Sequence, residues 1–440
     1  MERGKRGTLF FGGLQVKKVI IIGAGVAGLN CAKILTKAGV HCTLIEARNR
    51  IGGRAFSVPG TFPAIELGPE FIHGAEKPMM NFISERQIPF TDLCDNHLYF
   101  QRGKLHESRD FWEKIERISS RLKSDRPKDR SLNDFLKTHQ RSIPKQDIGI
   151  YKSFIEGFDA ADLKLAGEKG LAEAEGSEEP EINGQSQFRP GKGYSHFVDE
   201  LFKSSVLKKS DIRLQHEVTS IEWEQKLVRI FCKGKRIPYT ADFVVVTLPI
   251  GVLKSKNYFH PEIPKISQAL ESIHMGNVLR ISFEFTHRFW ENLSKRPVSF
   301  LHAGPDMYFP TWWTQAPHRS NFLTAWQGGP KALELSSMTT QEKNQAAFKT
   351  LSILTGRSLA FIKKNYVRHH FHDWNKDPYT RGAYSYMGIQ HDHENEDLRK
   401  VHQGKIILAG EGTTTGANMG TIQGALMSGQ RAASQILRAR

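Results

Sequence analysis

Cysteine is scarce in this sequence, and its spacing carries no motif. The four cysteines, Cys31, Cys42, Cys94 and Cys232, form no C-x-x-C pair within 440 residues. Disulfide-stapled folds and zinc sites both use paired, characteristically spaced cysteines. The pattern therefore argues against either class and predicts a protein of a reducing, cytoplasmic compartment.

Long apolar runs and nucleic-acid motifs are also missing. No stretch reaches the roughly 18 apolar residues that span a bilayer, and residues 19–22 are too few for the apolar part of a signal peptide. The net charge of +16 comes from Lys and Arg residues scattered along the chain, without a zinc-finger or RRM pattern. The sequence thus predicts no membrane and no nucleic-acid partner, and it leaves the oligomeric state open.

What is present is a globular composition with a clear first unit. The apolar fraction of 39% supports ordinary cores, and the length suits two domains of ~150–250 residues. Residues 17–22 predict a buried strand, residues 25–38 a helix, and residues 40–46 a second strand. Together these segments predict one βαβ unit.

Three glycines follow the first predicted strand at the spacing of a dinucleotide-binding turn. Gly23 permits the tight turn, Gly25 lets the backbone approach a pyrophosphate, and Gly28 lets helix and strand pack closely. The start of the helix offers free N–H groups and a positive dipole to an anion. Glu46, at the end of the second strand, suits the hydroxyl groups of a ribose. This complete context predicts a dinucleotide site.

The motif at residues 46–54 extends that site beyond the second strand. An FAD reaches further than an NAD, and Arg54 is the candidate for a second cationic clamp on its pyrophosphate. The pattern resembles the flavin-dependent amine oxidase family, which includes monoamine oxidases, polyamine oxidases and flavin histone demethylases. The resemblance continues through residues 66–74, 191–194, 242–254, 374–378, 381–386, 409–413 and 420–425.

The resemblance implies a bound FAD and a set of residues around it. Gly410 would end a buried strand beside the cofactor, Glu411 would reach the ribityl hydroxyls, and the helix starting near Thr421 would stabilise negative charge on the reduced ring. Val218 would offer the adenine a backbone contact. The implied cofactor-binding set is Gly23, Gly25, Gly28, Glu46, Arg48, Gly53, Arg54, Gly68, Pro69, Glu70, Val218, Trp374, Gly410, Glu411, Thr421 and Ile422.

Two departures from the family concern attachment and the aromatic cage. Ala383 stands where monoamine oxidases carry the cysteine that bonds to FAD, so a noncovalent FAD is expected. The family brackets its amine between two aromatic walls, of which Tyr384 supplies one. Residues 418–421 supply no second ring, and the tryptophans that remain open as its replacement are Trp312, Trp313 and Trp374.

A third departure is Arg280, which stands where the family has a lysine that holds a water near the flavin. We expect Arg280 to make reoxidation by dioxygen the weak half of the cycle, unless it pairs with a carboxylate elsewhere. His73 suits either a hydrogen bond to the amine or a structural role. Glu70 suits either attraction of a cationic amine or a place in solvent.

The predicted fold is α/β, with an FAD-binding Rossmann-like domain assembled from residues 1–89, 188–255 and 402–440. An α+β substrate domain would comprise residues 90–187 and 256–401. The site is expected at the interface, outside the carboxyl ends of the parallel strands. The acidic residues 167–187 predict a surface loop bordering the substrate entrance.

The resemblance implies an enzyme that oxidises a carbon–nitrogen bond of a small (poly)amine by hydride transfer to flavin N5. Dioxygen would then reoxidise the flavin and yield hydrogen peroxide, so the amine and dioxygen are the expected partners. The candidate catalytic residues are Arg280, His73, Tyr384 and Trp374. Two alternatives stay open: another flavin oxidoreductase, such as an amino-acid oxidase or a desaturase, and an FAD-loaded scaffold with little turnover.

Overall fold

A computed structural model describes residues 18–94, 96–107, 111–176, 187–390 and 394–439. Its first large element is a six-stranded sheet, in the order Val401–His402, Ile406–Leu408, Phe243–Val246, Lys18–Ile22, His41–Ile45 and Ile212–Arg213. All neighbours are parallel except the edge strand Val401–His402. The last four of the five residues of the strand Lys18–Ile22 are buried, as parallel strands covered on both faces require. The α/β class is therefore confirmed.

Two helices from opposite ends of the chain cover one face of this sheet. The helix Val26–Lys37 packs against the C-terminal helix Ile422–Arg438. Their backbones approach so closely that a Cβ added at Gly429 would lie 2.3 Å from the carbonyl oxygen of Ala27. The predicted Rossmann-like assembly from distant segments is thus present, while the domain boundaries themselves stay a prediction.

A seven-stranded sheet forms the second large element. Its order is Tyr366–His370, Val278–Phe285, Phe322–Gly328, Thr311–Thr314, Phe300–His302, His97–Gln101 and Lys104–Glu107. Only the pair Phe300–His302 and His97–Gln101 is parallel. Because successive side chains alternate between faces, one face packs into an apolar core that includes Leu98, Ile281, Leu301, Trp312 and Ala325. The opposite face is free to line a site.

The predicted surface loop at residues 167–187 is wrong for its first half. Residues Glu168–Gly176 form a helix, and the Glu168 side chain is fully buried. Its carboxylate accepts a hydrogen bond of 2.5 Å from Nε of Arg130, which compensates the charge locally. A Cβ added at Gly170 would lie 2.4 Å from Cβ of Met387, so this helix docks closely on its neighbour. Residues 177–186 of the predicted loop lie outside the described residues.

The remaining elements of the described residues are smaller sheets of two to four strands and further helices. None of the helices in the described part of the chain has the length and apolarity that crossing a membrane requires. The other strands are Ile72–His73, Phe90–Asp92, Gln187–Pro190, Val218–Trp223, Val228–Cys232, Tyr239–Ala241, Phe259–His260, Ile273–Met275 and Ser385–Met387. The other helices are Lys77–Glu85, Phe111–Ser119, Leu132–His139, Lys145–Gly157, Gly193–Lys203, Ile250–Leu253, Pro264–Glu271, Pro330–Ser337, Thr340–Thr355, Leu359–Asn365 and Glu394–Asp397. Short 3-10 turns occupy Lys209–Asp211, Glu291–Leu293, Glu411–Thr413 and Gly416–Asn418.

Candidate active site

A cavity of about 1900 Å³ runs from the carboxyl ends of the parallel strands to the free face of the seven-stranded sheet. At the end of the cavity beside the parallel strands, the lining includes the glycine turn that follows residue 22. The N–H of Gly23 donates to the carbonyl of Ile45 at 2.7 Å, and its φ of +101° suits glycine. A Cβ at Gly28 would lie 2.1 Å from the Gly23 carbonyl oxygen, whereas a Cβ at Gly25 would meet no atom of the described residues within 4 Å. The turn therefore leaves open space at the position where the motif predicts a pyrophosphate.

Glu46 lies at this end of the cavity in an oriented, buried position. Its Oε2 accepts from the backbone N–H of Ala24 at 2.9 Å, and Oε1 accepts from that of Arg48 at 2.8 Å. Burial raises the pKa of Glu46, while these two hydrogen bonds act in the opposite direction. Two backbone N–H groups thus fix a carboxylate where a ribose diol would bind.

The side chain of Arg48 is already committed to a protein partner. Its two terminal nitrogens bind the carboxylate of Asp377 at 2.8 and 2.7 Å. Burial alone would raise the pKa of Asp377, but hydrogen bonds from His372 and Arg48 lower it overall. The guanidinium also lies 5.7 Å from the centroid of Trp374. Arg48 therefore anchors residues 374–377 beside the cavity, a packing role that the motif alone did not reveal.

Arg54 and Glu411 meet as an ion pair at the cavity wall. Nη1 of Arg54 lies 2.7 Å from Oε1 of Glu411 and also donates to the Ala383 carbonyl at 2.7 Å. Glu411 accepts in addition from the backbone and the hydroxyl of Ser385, at 3.2 and 3.1 Å. Arg54 is the expected contact of the pyrophosphate and Glu411 that of the ribityl chain. The two side chains are neighbours, as they should be because these two parts of FAD are bonded to each other.

The C-terminal helix aims its N-terminus at the same cavity. Thr421 caps it, since the hydroxyl accepts from the Gly424 N–H at 2.9 Å. Gly410 lies two residues after the strand Ile406–Leu408 and has a φ of +128°, which favours glycine. Its N–H donates to the Ser428 hydroxyl at 2.9 Å. The positive end of the helix dipole therefore faces the cavity. The other cofactor candidates that line it are Gly53, Gly68, Pro69, Val218 and Ile422.

The free face of the seven-stranded sheet forms the opposite wall. Directly paired residues share one face of a sheet, so the register decides which side chains reach the cavity. Arg280 pairs with Trp326, which pairs with Thr311. The same face continues across the next two strands. Its cavity-lining members are Arg280, Trp326, Thr311, Trp313, Phe300, His302, His97 and Tyr99.

Arg280 is buried and held by two acceptors. Nη2 binds Oε2 of Glu70 at 2.6 Å, and Nη1 donates to the Gly68 carbonyl at 2.8 Å. Oε1 of Glu70 binds a second arginine, Arg189, at 2.9 Å, and Oε2 also accepts from the indole N–H of Trp313 at 3.0 Å. Burial acts to raise the pKa of Glu70, but the two arginines lower it overall. The alternative that Glu70 faces solvent is therefore wrong. Arg280 pairs with a carboxylate, that of Glu70.

The far end of the cavity is aromatic and acidic. The Tyr384 hydroxyl donates to the Phe158 carbonyl, and the His73 ring lies 5.3 Å from the Phe158 ring. Burial lowers the pKa of His73 to about 4, so this imidazole is neutral at physiological pH. Burial, together with Glu175, raises the pKa of Asp159 to about 7.

Sequence reasoning missed Trp326, Asp159 and Arg189, each of which lies in or behind this wall. The strand pattern at residues 321–327 contained a signal for Trp326. Side chains of a strand alternate between two faces, so when one face packs into a core the residues between point to the opposite face. Of the acidic residues predicted to border the entrance, Glu175 lines the cavity. Glu178, Glu179 and Glu181 lie outside the described residues.

Comparison with known proteins agrees with this geometry. Residues 26–437 match the family model described as flavin containing amine oxidoreductase. The probable polyamine oxidase 5 of Arabidopsis thaliana is 26% identical over 96% of this chain and 98% of its own length. The lysine-specific histone demethylase 1B of Mus musculus is 25% identical over 96% of this chain but only 53% of its own length.

Solved structures of two amine oxidases share the fold of this chain. Putrescine oxidase bound to putrescine superposes with a TM-score of 0.79 and 18% identity, covering 96% of this chain and 99% of that one. Cyclohexylamine oxidase from Brevibacterium oxydans has a TM-score of 0.80 and 18% identity, with the same coverage of both chains. With the dinucleotide turn, the oriented Glu46 and the helix terminus on one cavity, the chain belongs to the flavin-containing amine oxidoreductases and is an enzyme whose cofactor is FAD.

Proposed function

We propose that the protein oxidises a carbon–nitrogen bond of a small amine that carries a second amino group. Bound FAD supplies the acceptor for the hydride from the amine α-carbon and passes the electrons to dioxygen, which gives hydrogen peroxide. For a primary amine, the amine, water and dioxygen yield an aldehyde, ammonia and hydrogen peroxide. The observation that carries the proposal is an aromatic chamber beside Tyr384 with a carboxylate, Asp159, in its wall.

The charges around the chamber favour the neutral form of the reacting nitrogen. Arg189 and Arg280 share the single carboxylate of Glu70, so this buried group of three carries one excess positive charge. A nearby positive charge disfavours an ammonium, and only a neutral amine has the lone pair that assists loss of hydride. His73, neutral at physiological pH, offers an acceptor to an amine N–H.

The far carboxylate favours a second, protonated nitrogen. Among the residues that the structure describes, no hydrogen bond or ion pair joins the Asp159 side chain, and no cation is among the causes that shift its pKa. Glu175 lies near enough to raise its pKa. An ammonium at the far end of a diamine would balance the negative charge of the Asp159 carboxylate.

A panel of amines and amino acids tests the proposal against its alternatives. Each compound is mixed anaerobically with the flavoprotein, and bleaching of the visible flavin band is followed before dioxygen is admitted and hydrogen peroxide is measured. Reduction by diamines supports the proposal. Reduction by amino acids alone supports an amino-acid oxidase, and no reduction by any compound supports a scaffold.

The charge of Asp159 predicts that pH changes the binding affinity of a diamine in a way that it does not change the affinity of a monoamine. Because the pKa of Asp159 is about 7, its carboxylate becomes negative as the pH rises from 6 to 8, while a distal alkylammonium stays protonated up to about pH 10. We expect the affinity ratio of 1,4-diaminobutane to 1-aminobutane to rise about tenfold over this range, which corresponds to roughly 1.4 kcal/mol. Taking the ratio cancels the effect of pH on the ionisation of the reacting nitrogen, because both amines carry this nitrogen.

The matched variant is Asp159→Asn, which keeps the shape and removes the charge. We expect the ratio to be low and independent of pH in this variant, while the saturating rate of reduction changes little. A ratio that rises with pH as in the wild type would assign the second nitrogen to another residue.

Noncovalent attachment of FAD is a separate expectation. Ala383 lies at the cavity wall, where its methyl group offers no nucleophile. We therefore expect acid precipitation to leave all the yellow flavin in the supernatant, as absorbance at the visible flavin band will report. Colour that stays in the washed pellet would require a covalent bond to another residue.

A further inference from the structure

One carboxylate, that of Asp377, joins separate parts of the chain at the dinucleotide end of the cavity. Its two oxygens accept from the terminal nitrogens of Arg48 at 2.7 and 2.8 Å. Oδ2 also lies 2.7 Å from Nε2 of His372, and Oδ1 accepts from the backbone N–H of Tyr379 at 2.9 Å. The Asp377 side chain is only 4% exposed. A buried carboxylate with this many partners is held in one position.

Asp377 also begins a tight turn that lines the cavity. The backbone N–H groups of Thr380 and Arg381 both bond the Asp377 carbonyl, at 3.1 and 2.9 Å. Arg381 has a φ of +55°, which residues other than glycine rarely adopt, and such a conformation persists only where the surroundings hold it. We call residues 377–381 the strap. The members that line the cavity are Pro378, Tyr379, Thr380 and Arg381.

The strap packs directly on the helix Ile250–Leu253. A Cβ added at Gly251 would lie 2.4 Å from the Arg381 carbonyl oxygen and 2.8 Å from that of Thr380. Real Cβ atoms do not come so close to a backbone oxygen, so only glycine at this position permits the contact. The strap is therefore held from the Arg48 side by charge and from the Gly251 side by close packing.

The other contacts of the strap lie where the adenosine part of FAD is expected. The Tyr379 hydroxyl lies 3.5 Å from Oε2 of Glu217, and Glu217 precedes Val218, the expected contact of the adenine. Arg48 donates its backbone N–H to Glu46, the expected contact of the ribose. A strap that reaches both places spans the adenosine part of the cavity.

We propose that the strap closes over the adenosine part of FAD, and that Asp377 is the positioning residue that holds it closed through Arg48. Entry and release of FAD both require the open strap, so the ion pair sets both rates. Asp377 itself is not among the described residues that line the cavity, and it acts through Arg48 and the turn. The inference concerns the cofactor alone, so it does not depend on which substrate the enzyme oxidises.

The two rates of FAD exchange distinguish a closing strap from an ordinary contact. When passage requires a minor open state, both rates are proportional to the population of that state. Breaking the ion pair raises this population and therefore speeds entry and release together. The dissociation constant of FAD, which is the ratio of the two rates, then changes less than either rate. Loss of a direct contact instead speeds release and leaves entry nearly unchanged.

Two variants open the strap in different ways. Asp377→Asn keeps the shape of the side chain and removes the charge that binds Arg48, whereas Gly251→Ala displaces the strap from the other side and leaves every charge in place. Release is followed by flavin fluorescence after dilution of the holoenzyme, and entry by quenching of that fluorescence when FAD is mixed with the stripped chain. We expect both rates to rise about tenfold in each variant, as weakening of a charged hydrogen-bonded pair predicts.

Glu200→Gln is the matched control for the loss of charge. Glu200 binds Arg86 at 2.7 Å, and it is not among the described residues that line the cavity, so both rates should stay within twofold of the wild type. Faster release with unchanged entry in Asp377→Asn and Gly251→Ala would make these contacts an ordinary part of the cofactor site and overturn the strap. Unchanged rates in both variants would overturn it as well. If Asp377→Asn fails to fold, Gly251→Ala decides alone, because alanine suits a helical position.

Discussion

Replacing Glu70 with alanine is expected to lower the free energy of unfolding by about 3–5 kcal/mol, the usual cost of removing one partner from a buried ion pair. Glu70 is 4% exposed and is bound by Arg189 and Arg280, themselves 4% and 2% exposed. Without the carboxylate, two buried cations would face each other across the vacated space. Urea denaturation, followed by tryptophan fluorescence, measures the change.

Glu291 provides the matched control because it also binds two arginines, but at the surface. Arg288 and Arg319 contact its oxygens at 2.7 and 2.9 Å, and its side chain is 38% exposed. Exposed pairs of this kind contribute about 0–1 kcal/mol. If Glu70→Ala and Glu291→Ala lower the free energy of unfolding equally, water or a local rearrangement compensates the charges of the buried arginines. That result would contradict the prediction.

The dinucleotide end was predictable because its chemistry is local in sequence. Gly23, Gly25 and Gly28 lie within six residues, and each is explained by a turn, an approach or a packing contact over that short span. Glu46 follows one strand later at a fixed place in the βαβ unit. Because the geometry of a βαβ unit of this kind varies little, the spacing of these residues in the sequence was enough to predict that they lie close together.

The substrate end depended on contacts that no local pattern contains. Glu70 joins Arg189 and Arg280, which are 119 and 210 residues away, and only the folded chain brings them together. The place of Trp326 on the cavity face depended on the register of the sheet, because a shift by one residue would exchange it with Ala325. The helix Glu168–Gly176 was missed since its acidic composition resembled a loop, while Arg130, the partner of the buried Glu168, lies 38 residues earlier.

Replacing Gly25 with alanine is expected to weaken FAD binding by roughly 10- to 100-fold, the equivalent of 1–3 kcal/mol of overpacking. Gly25 has a φ of −76° and a ψ of −177°, which alanine adopts freely. Its added Cβ would meet no atom within 4 Å in the part of the chain that the structure describes. The protein therefore accommodates the methyl group, which occupies space that the motif reserves for the pyrophosphate. Release of FAD on dilution, followed by flavin fluorescence, gives the dissociation constant.

Two further alanine variants distinguish cofactor exclusion from general damage. At Gly28 the added Cβ would lie 2.1 Å from the Gly23 carbonyl oxygen, so Gly28→Ala should lower the melting temperature as well as FAD affinity. At Gly176 an added Cβ would meet no atom of the described residues within 4 Å, and Gly176 is not among the described residues that line the cavity, so Gly176→Ala should change neither. Gly25→Ala should lose affinity while its melting temperature without FAD stays that of the wild type. If Gly25→Ala instead retains FAD as tightly as the wild type, the open space at this turn does not hold the pyrophosphate, and the cofactor enters the cavity by another contact.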